Sequence, residues 1–272
     1  MTTHIDFEAL ELQIDALAAS FAGARPFPHV AIENFLRPDS LTRLLEAIQP
    51  PDIANRSNDY FFAKNKFETP TFASSADILN EVRNELLSDR FERALSKIYG
   101  QEVFIDPQFV GGGIHQGGAG SYLDMHADFN RHPANAEWLR ELNLLLYLNP
   151  GYDDSFGGHL ELEHAKSGEW TRVAPQLNRM VIMLTKEFTL HGYKPISFPP
   201  GTYRTALASY AYSIDNNLAA TPQRSTQWVP QGGPAYKRLF ARVAPGLVGL
   251  KNRLLGSNTV RRATRNDGSD QG

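Results

Sequence analysis

The period of the hydrophobic positions changes near residue 100. Before it, apolar residues recur every three or four. Phe7, Leu10, Leu12, Ile14, Leu17 and Phe21 predict one amphipathic helix over residues 6–22. "ARPFPHVAIENFL" interrupts with two prolines and predicts a short strand over Val30–Ile32. "RPDSLTRLLEAI" predicts a helix capped by Asp39 or Ser40, and residues 75–99 predict another that Gly100 closes. After Gly100 the period falls to two. "GGHLELE" sets Leu160 and Leu162 against Glu161 and Glu163, which predicts a strand with an apolar face and a solvated one that carries both glutamates, with His159 beside them. "MVIML" predicts a strand buried on both faces. Many such segments, separated by Gly, Pro, Asn and Asp, predict an antiparallel sandwich or barrel over residues 101–215.

From Tyr236 the texture shifts again. Lys237, Arg238, Arg242, Lys251, Arg253, Arg261, Arg262 and Arg265 lie in a stretch without a single acid, and Leu239, Phe240, Val243, Leu247, Leu250, Leu254 and Leu255 approach helical spacing, broken at Pro245 and Gly246. The expected organisation is one domain over residues 1–221, with a helical part (1–100) packed on the β core (101–215). A basic, helical C-terminal extension (222–272) follows, its last residues disordered. That extension reads first as a helix pair covering the barrel; peripheral contact with an acidic membrane surface is the alternative.

The chain has 272 residues, 42% hydrophobic and 21% charged, with a formal net charge of −3, so it has no overall attraction to nucleic acid. It has no cysteine, which excludes disulfides, thiolate nucleophiles and iron–sulfur clusters. Any metal must be held by His, Asp, Glu or backbone groups. "MTTHIDFEALELQIDAL" lacks the basic start and apolar core of a secretory signal, and no apolar run is long enough to span a bilayer. The expected location is cytoplasmic; the oligomeric state is open.

Candidate chemistry gathers in "HADFNRHP". On a strand, His126 and Asp128 leave the same face. His191, in "LTKEFTLHGY", is 63 residues beyond Asp128 (191 − 128) and can supply a third ligand from another strand. Two histidines and a carboxylate on one face of a metal leave the opposite face open, as in non-haem Fe(II) oxygenases. A lone H-x-D is a weak motif, and a surface or internally satisfied pair is its ordinary reading. Further on, "YRTALASYAY" alternates so that Arg204, Ala206, Ala208 and Tyr210 share a face. An arginine there suits a bound carboxylate, or else an internal salt bridge. His132, before a proline, reads as a loop residue, and His115, in "GGIHQGG", as a partly buried histidine or a pocket-lining one.

Together, "HADFN", "LNLLLYLNPGY", "GGHLELE", "VAPQLNRMVIML", "LHGY" and "YRTALASYAY" resemble the Fe(II)/2-oxoglutarate-dependent dioxygenases of the prolyl 4-hydroxylase type, over residues 105–215. "PFPHVAIENFL" is similar to the usual N-terminal entry of that family. The resemblance implies a double-stranded β-helix (jelly-roll) core flanked by helices. It also implies His126, Asp128 and His191 as iron ligands, Arg204 on the distal carboxylate of 2-oxoglutarate, and Tyr147 contacting the same carboxylate. Asn143, on the same strand face as Tyr147, is a pocket-lining residue at the cofactor. Gly157 and Gly158 would form a structural turn. One departure is the 13-residue gap from His191 to Arg204, lengthened by "ISFPPG", a loop placed to reshape the pocket mouth.

The implied cofactors are Fe(II), 2-oxoglutarate and O2, with ascorbate as an auxiliary reductant. The implied reaction is hydroxylation of an unactivated C–H bond, in a prolyl residue of a protein or peptide or, alternatively, in a free amino acid, a sugar or another small metabolite. A non-catalytic jelly-roll binding module and a zinc hydrolase are the rival readings. Intact candidate ligands speak against the first, and Arg204 and the absence of H-E-x-x-H against the second. Residues 60–73, rich in aromatics without a period, read as a lid or groove wall, or as a loop packed on the core.

Overall fold

The computed structural model describes residues 3–52, 62–69 and 77–230. Helices α1 (Phe7–Leu12) and α2 (Ile14–Gly23) replace the single helix expected over residues 6–22. The break at Gln13 leaves Leu12 88% exposed, so it drops out of the apolar stripe. The third helix, α3 (Pro38–Ala47), starts two or three residues earlier than expected. Arg37 is its cap residue and Pro38 opens it, neither Asp39 nor Ser40 caps it, and proline's fixed φ suits a first turn whose N–H has no partner. Residues 75–99 likewise divide, into α4 (Asp77–Leu86) and α5 (Asp89–Tyr99). Ser88 separates them because its Oγ accepts the Phe91 N–H and starts a new helix. Gly100 takes the left-handed conformation at the end of α5, as expected.

The strands are β1 (His29–Ile32), β2 (Ala63–Thr69), β3 (Phe104–Ile105), β4 (Gly113–Ala127), β5 (Trp138–Tyr147), β6 (Leu160–His164), β7 (Trp170–Val173), β8 (Arg179–Leu184), β9 (Thr189–Tyr193), β10 (Arg204–Ile214) and β11 (Gln227–Val229). They pair in the order β1–β8–β5–β10–β4–β9–β6–β7, all antiparallel, with β2 and β11 also on β4 and β3 on β10. Strand β4 belongs to two walls. Residues 113–117 pair with β10, whereas Leu123 and His126 pair with β9. The bend between them uses Gly120 at φ +74°. The result is the double-stranded β-helix expected from the sequence, one continuous sheet folded over on itself.

Strand parity sorts the side chains. Leu142, Leu144 and Leu146 of β5, with Met180 and Ile182 of β8, face outward and pack against Leu44, Val82, Phe91 and Leu95 of the helices. Tyr147, Val181, Met183 and Ala206 face inward, where they meet Leu160 and Leu162 of the second wall. Fixing the helices on one side therefore fixes which residues of β5 and β10 look into the interior.

Three expectations are corrected here. Glu161 is buried, not solvated, and its carboxylate pairs with Lys194 Nζ at 2.8 Å. His132 is not an open loop residue: it is 3% exposed and its Nε2 lies 3.2 Å from Asp106 Oδ2. The sheet also continues past residue 221, since β11 pairs with Met125–Ala127. The basic stretch from Tyr236 onward lies outside the described residues. Among those described, no helix is long and apolar enough to cross a membrane.

Candidate metal centre

Three chain segments meet at the open end between the walls. His126 and His191 are paired residues on β4 and β9, and Asp128 follows just beyond β4. Their potential ligand atoms all lie within 4.8 Å of one another. His126 Nε2 is 3.6 Å from Asp128 Oδ1 and His191 Nε2 is 3.5 Å from Asp128 Oδ2, longer than good hydrogen bonds. The groups face one another across a gap.

His126 and Asp128 are oriented from behind. His126 Nδ1 is 2.9 Å from the Asp124 carbonyl, which can only accept, so Nδ1 carries the proton and Nε2 offers its lone pair. Trp228 of β11 stacks on the His126 ring, centroids 4.6 Å apart, and Phe62 stacks on Trp228 at 4.9 Å. Asp128 Oδ2 accepts from Asn143 Nδ2 at 2.8 Å and Arg140 Nη2 at 3.0 Å. Asn143 Oδ1 in turn accepts from Arg140 Nε at 2.9 Å and Thr185 Oγ1 at 3.1 Å, which fixes its amide. Arg140 is 1% exposed, its guanidinium 3.4 Å from the centre of the Tyr210 ring.

Burial, and then the neighbouring His126, pushes His191 down to about 3, and burial also lowers His126. For Asp128 burial acts in the opposite sense, but Arg140, the two imidazoles and Asn143 hold its carboxyl well below the usual range. Near neutral pH the set is therefore two neutral imidazoles and one carboxylate. That is the donor set and charge that a divalent first-row cation takes.

The cavity beside the triad has an empty volume of about 980 Å³ including its mouth, and Arg204 lines it together with His126, Asp128 and His191. Arg204 is 7% exposed and no carboxylate pairs with it, so the internal salt bridge is excluded among the described residues. Its Nε donates to the Gly158 carbonyl at 2.6 Å and its Nη2 to Tyr147 Oη at 3.1 Å, while the Tyr193 ring lies 4.3 Å beneath. Burial, opposed by Arg204, raises Tyr147 and keeps its hydroxyl protonated. Gly158 has φ +77°, and a Cβ there would come within 3.0 Å of Arg204 Cδ, so the expected turn is also a close approach. The 195–203 loop sends Ile196 and Phe198 into a cluster with Tyr193, and the Gly120 and Ile196 backbones bond at 2.8 Å. The extra length braces Arg204 against the β4 bend.

Residues 112–212 match the 2OG-Fe(II) oxygenase superfamily. They are a 2OG-Fe(II) oxygenase domain. Members of that superfamily use Fe(II), 2-oxoglutarate and O2. The chain is similar in fold to a prolyl hydroxylase of Trichoplax adhaerens, solved with a hypoxia inducible factor oxygen degradation domain peptide fragment (TM-score 0.52, 15% identity, covering 79% of this chain and 94% of that one). It is also similar in fold to a prolyl 4-hydroxylase of Phytophthora capsici (TM-score 0.54, 18% identity, covering 96% and 79%). No curated protein matches the sequence.

The structure brings His126, Asp128 and His191 together and places Arg204, which lines the same cavity, in contact with the fully buried Tyr147. Asn143 stands at the Asp128 end instead of beside Tyr147's hydroxyl. His115 lines the cavity. Sequence reasoning missed Arg140, Lys66, Glu68 and Trp228. Arg140 shares a strand with Asn143 in "RELNLLLY", and a charge buried in a leucine-rich run is a readable sign of an ion pair. The other three lie on short strands whose pairing with β4 no local pattern announces.

Proposed function

We propose that the oxygenase hydroxylates an unactivated C–H bond, with His126, Asp128 and His191 holding Fe(II) and Arg204 with Tyr147 holding the distal carboxylate of 2-oxoglutarate. The observation that carries this is the pairing of a three-donor cluster with a buried, carboxylate-free arginine across one cavity. Bound there, iron and 2-oxoglutarate supply the oxidising power, with succinate and carbon dioxide as co-products.

The chain's own contribution is placement. Arg140 and Asn143 hold one Asp128 oxygen, so the other is free to face the metal position. The Arg204 guanidinium presents a planar donor fork, fixed by Gly158 and Tyr147, to a dicarboxylate tail. Leu145, Leu160 and Ala206 line the space between the two ends and exclude water from it. Trp228 and Phe62 cover His126 from the outside.

A prolyl residue in a protein or peptide is one substrate consistent with this machinery, and the Trichoplax adhaerens enzyme was solved with such a peptide fragment. The test is anaerobic titration of the metal-free protein with Fe(II) and 2-oxoglutarate, followed by the weak visible absorption of the chelate. The band is expected in the native protein and lost in His126→Ala. In Arg204→Met it is expected only at much higher 2-oxoglutarate concentration. A band unchanged by His126→Ala sinks the ligand assignment.

A further inference from the structure

The reaction assigned above leaves one wall of the cavity unexplained. Strand β2 pairs with β4 so that Lys66 lies opposite Gly117 and Glu68 opposite His115. On the other edge of β4, Gly117 lies opposite Arg204 and His115 opposite Ala206. Lys66, Glu68 and His115 therefore point into the same cavity as Arg204, but from the side of β2. Lys66 Nζ is 2.7 Å from Glu68 Oε1, with the two side chains 16% and 33% exposed. Burial acts against the lysine's charge, but Glu68, Tyr193 and Tyr210 outweigh it and hold the ammonium protonated. His115 Nε2 is buried and has no hydrogen-bond partner.

A half-buried ion pair gains little by itself. Covered by a neutral ligand it would lose its water for nothing in return, and an internal peptide residue offers only amide groups. A ligand with an ammonium and a carboxylate close together would bring an opposite charge to each member of this pair and add no net charge to the wall. The His115 imidazole adds a polar contact beside them. Access also favours a small molecule, because the Phe62–Trp228 stack joins β2 to β11 over His126.

Building on the hydroxylase reading, we propose that the substrate is a free amino acid, whose α-carboxylate pairs with Lys66 and whose α-ammonium pairs with Glu68.

The experiment is calorimetric binding to protein loaded with Zn(II) and 2-oxoglutarate, where no turnover occurs. The probes are the standard L-amino acids, the N-acetyl and carboxamide forms of each one that binds, and a proline-containing peptide. At least one free amino acid is expected to bind, with either blocked form about tenfold weaker or worse. In Glu68→Gln the penalty for N-acetylation should shrink to about threefold or less, and in Lys66→Met the penalty for the carboxamide should do the same. Failure of every free amino acid to bind, tighter binding of the peptide, or equal binding of blocked and free forms would each overturn the substrate class. Zinc-loaded protein that takes up no 2-oxoglutarate would overturn the hydroxylase reading itself, and the substrate class with it.

Discussion

Replacing Gly158 with alanine should weaken 2-oxoglutarate binding without touching a ligand or a charged group. Two costs arise at this position. The first is conformational: at φ +77° a Cβ is strained, worth about 1–3 kcal/mol. The second is a collision, because the new Cβ would sit 3.0 Å from Arg204 Cδ, 3.3 Å from Arg204 Nε and 3.2 Å from Ile196 Cγ2. Arg204 Nε is also the donor to the Gly158 carbonyl, so the side chain must move away from the contact that aims it. A hydrogen bond from a charged donor contributes about 1.5–3 kcal/mol, and losing half of that aim corresponds to roughly a tenfold rise in the 2-oxoglutarate dissociation constant. Gly157→Ala is the control. It has φ +68°, but its Cβ would meet only the Pro195 carbonyl at 3.8 Å. Both variants should lose similar stability, a few degrees in Tm, while only Gly158→Ala loses 2-oxoglutarate affinity in the anaerobic titration. Equal loss of affinity in both variants, or none in Gly158→Ala, would refute the claim that this glycine positions Arg204.

Arg140→Met should lower metal affinity about 10–100-fold, read by Co(II) titration, because Asp128 loses a fixed partner. The metal-free variant should also unfold more easily, by about 3–5 kcal/mol, since a buried carboxylate is left short of its cation. Burial, with Lys66 beside it, pushes His115 down to about 4, so the unfolded chain binds its proton more readily than the folded one. Stability of the metal-free protein should then fall as pH drops from about 6.5 toward 4, by about 1.4 kcal/mol per pH unit from this residue, and His115→Gln should remove that share in denaturant melts at several pH values. Metal and 2-oxoglutarate should tighten each other's binding by the same factor, at least about tenfold, and independent affinities in crossed titrations would contradict the charge argument made below.

The sequence and the structure agree where one residue type has one use. His126, Asp128 and His191 were legible because strand alternation puts the first two on one face and cysteine-free chemistry leaves few other donors. That Arg204 faces the interior was legible because alternation along β10 puts it on one face with Ala206, Ala208 and Tyr210. The helix divisions were not. Gln13 and Ser88 sit inside continuous apolar periods, and local hydrogen bonding, as at Ser88 Oγ, overrides the period. Glu161 misled because alternation reports that two faces differ but not whether a neighbouring element covers the polar one. Lys66 and Trp228 are a further case: 162 residues apart in sequence, they reach one cavity only because both flanking strands choose β4.

The placement of charge bears on how the proposed centre would be loaded. Without metal, Asp128 is balanced by Arg140 and the histidines are neutral, so the triad end carries no net charge. At the other end the arginine is held by a carbonyl, a hydroxyl and an aromatic face, which solvate the guanidinium without neutralising it. A divalent cation alone would leave two positive charges at the triad end, and a dicarboxylate alone would bring two negative ones to a site where Arg204 has no carboxylate partner among the described residues. Added together they cancel, and the tail reaches the arginine. On the proposed assignment the ion pair at Asp128 would keep the unloaded triad end neutral, and Arg204 would favour loading of metal and cosubstrate together.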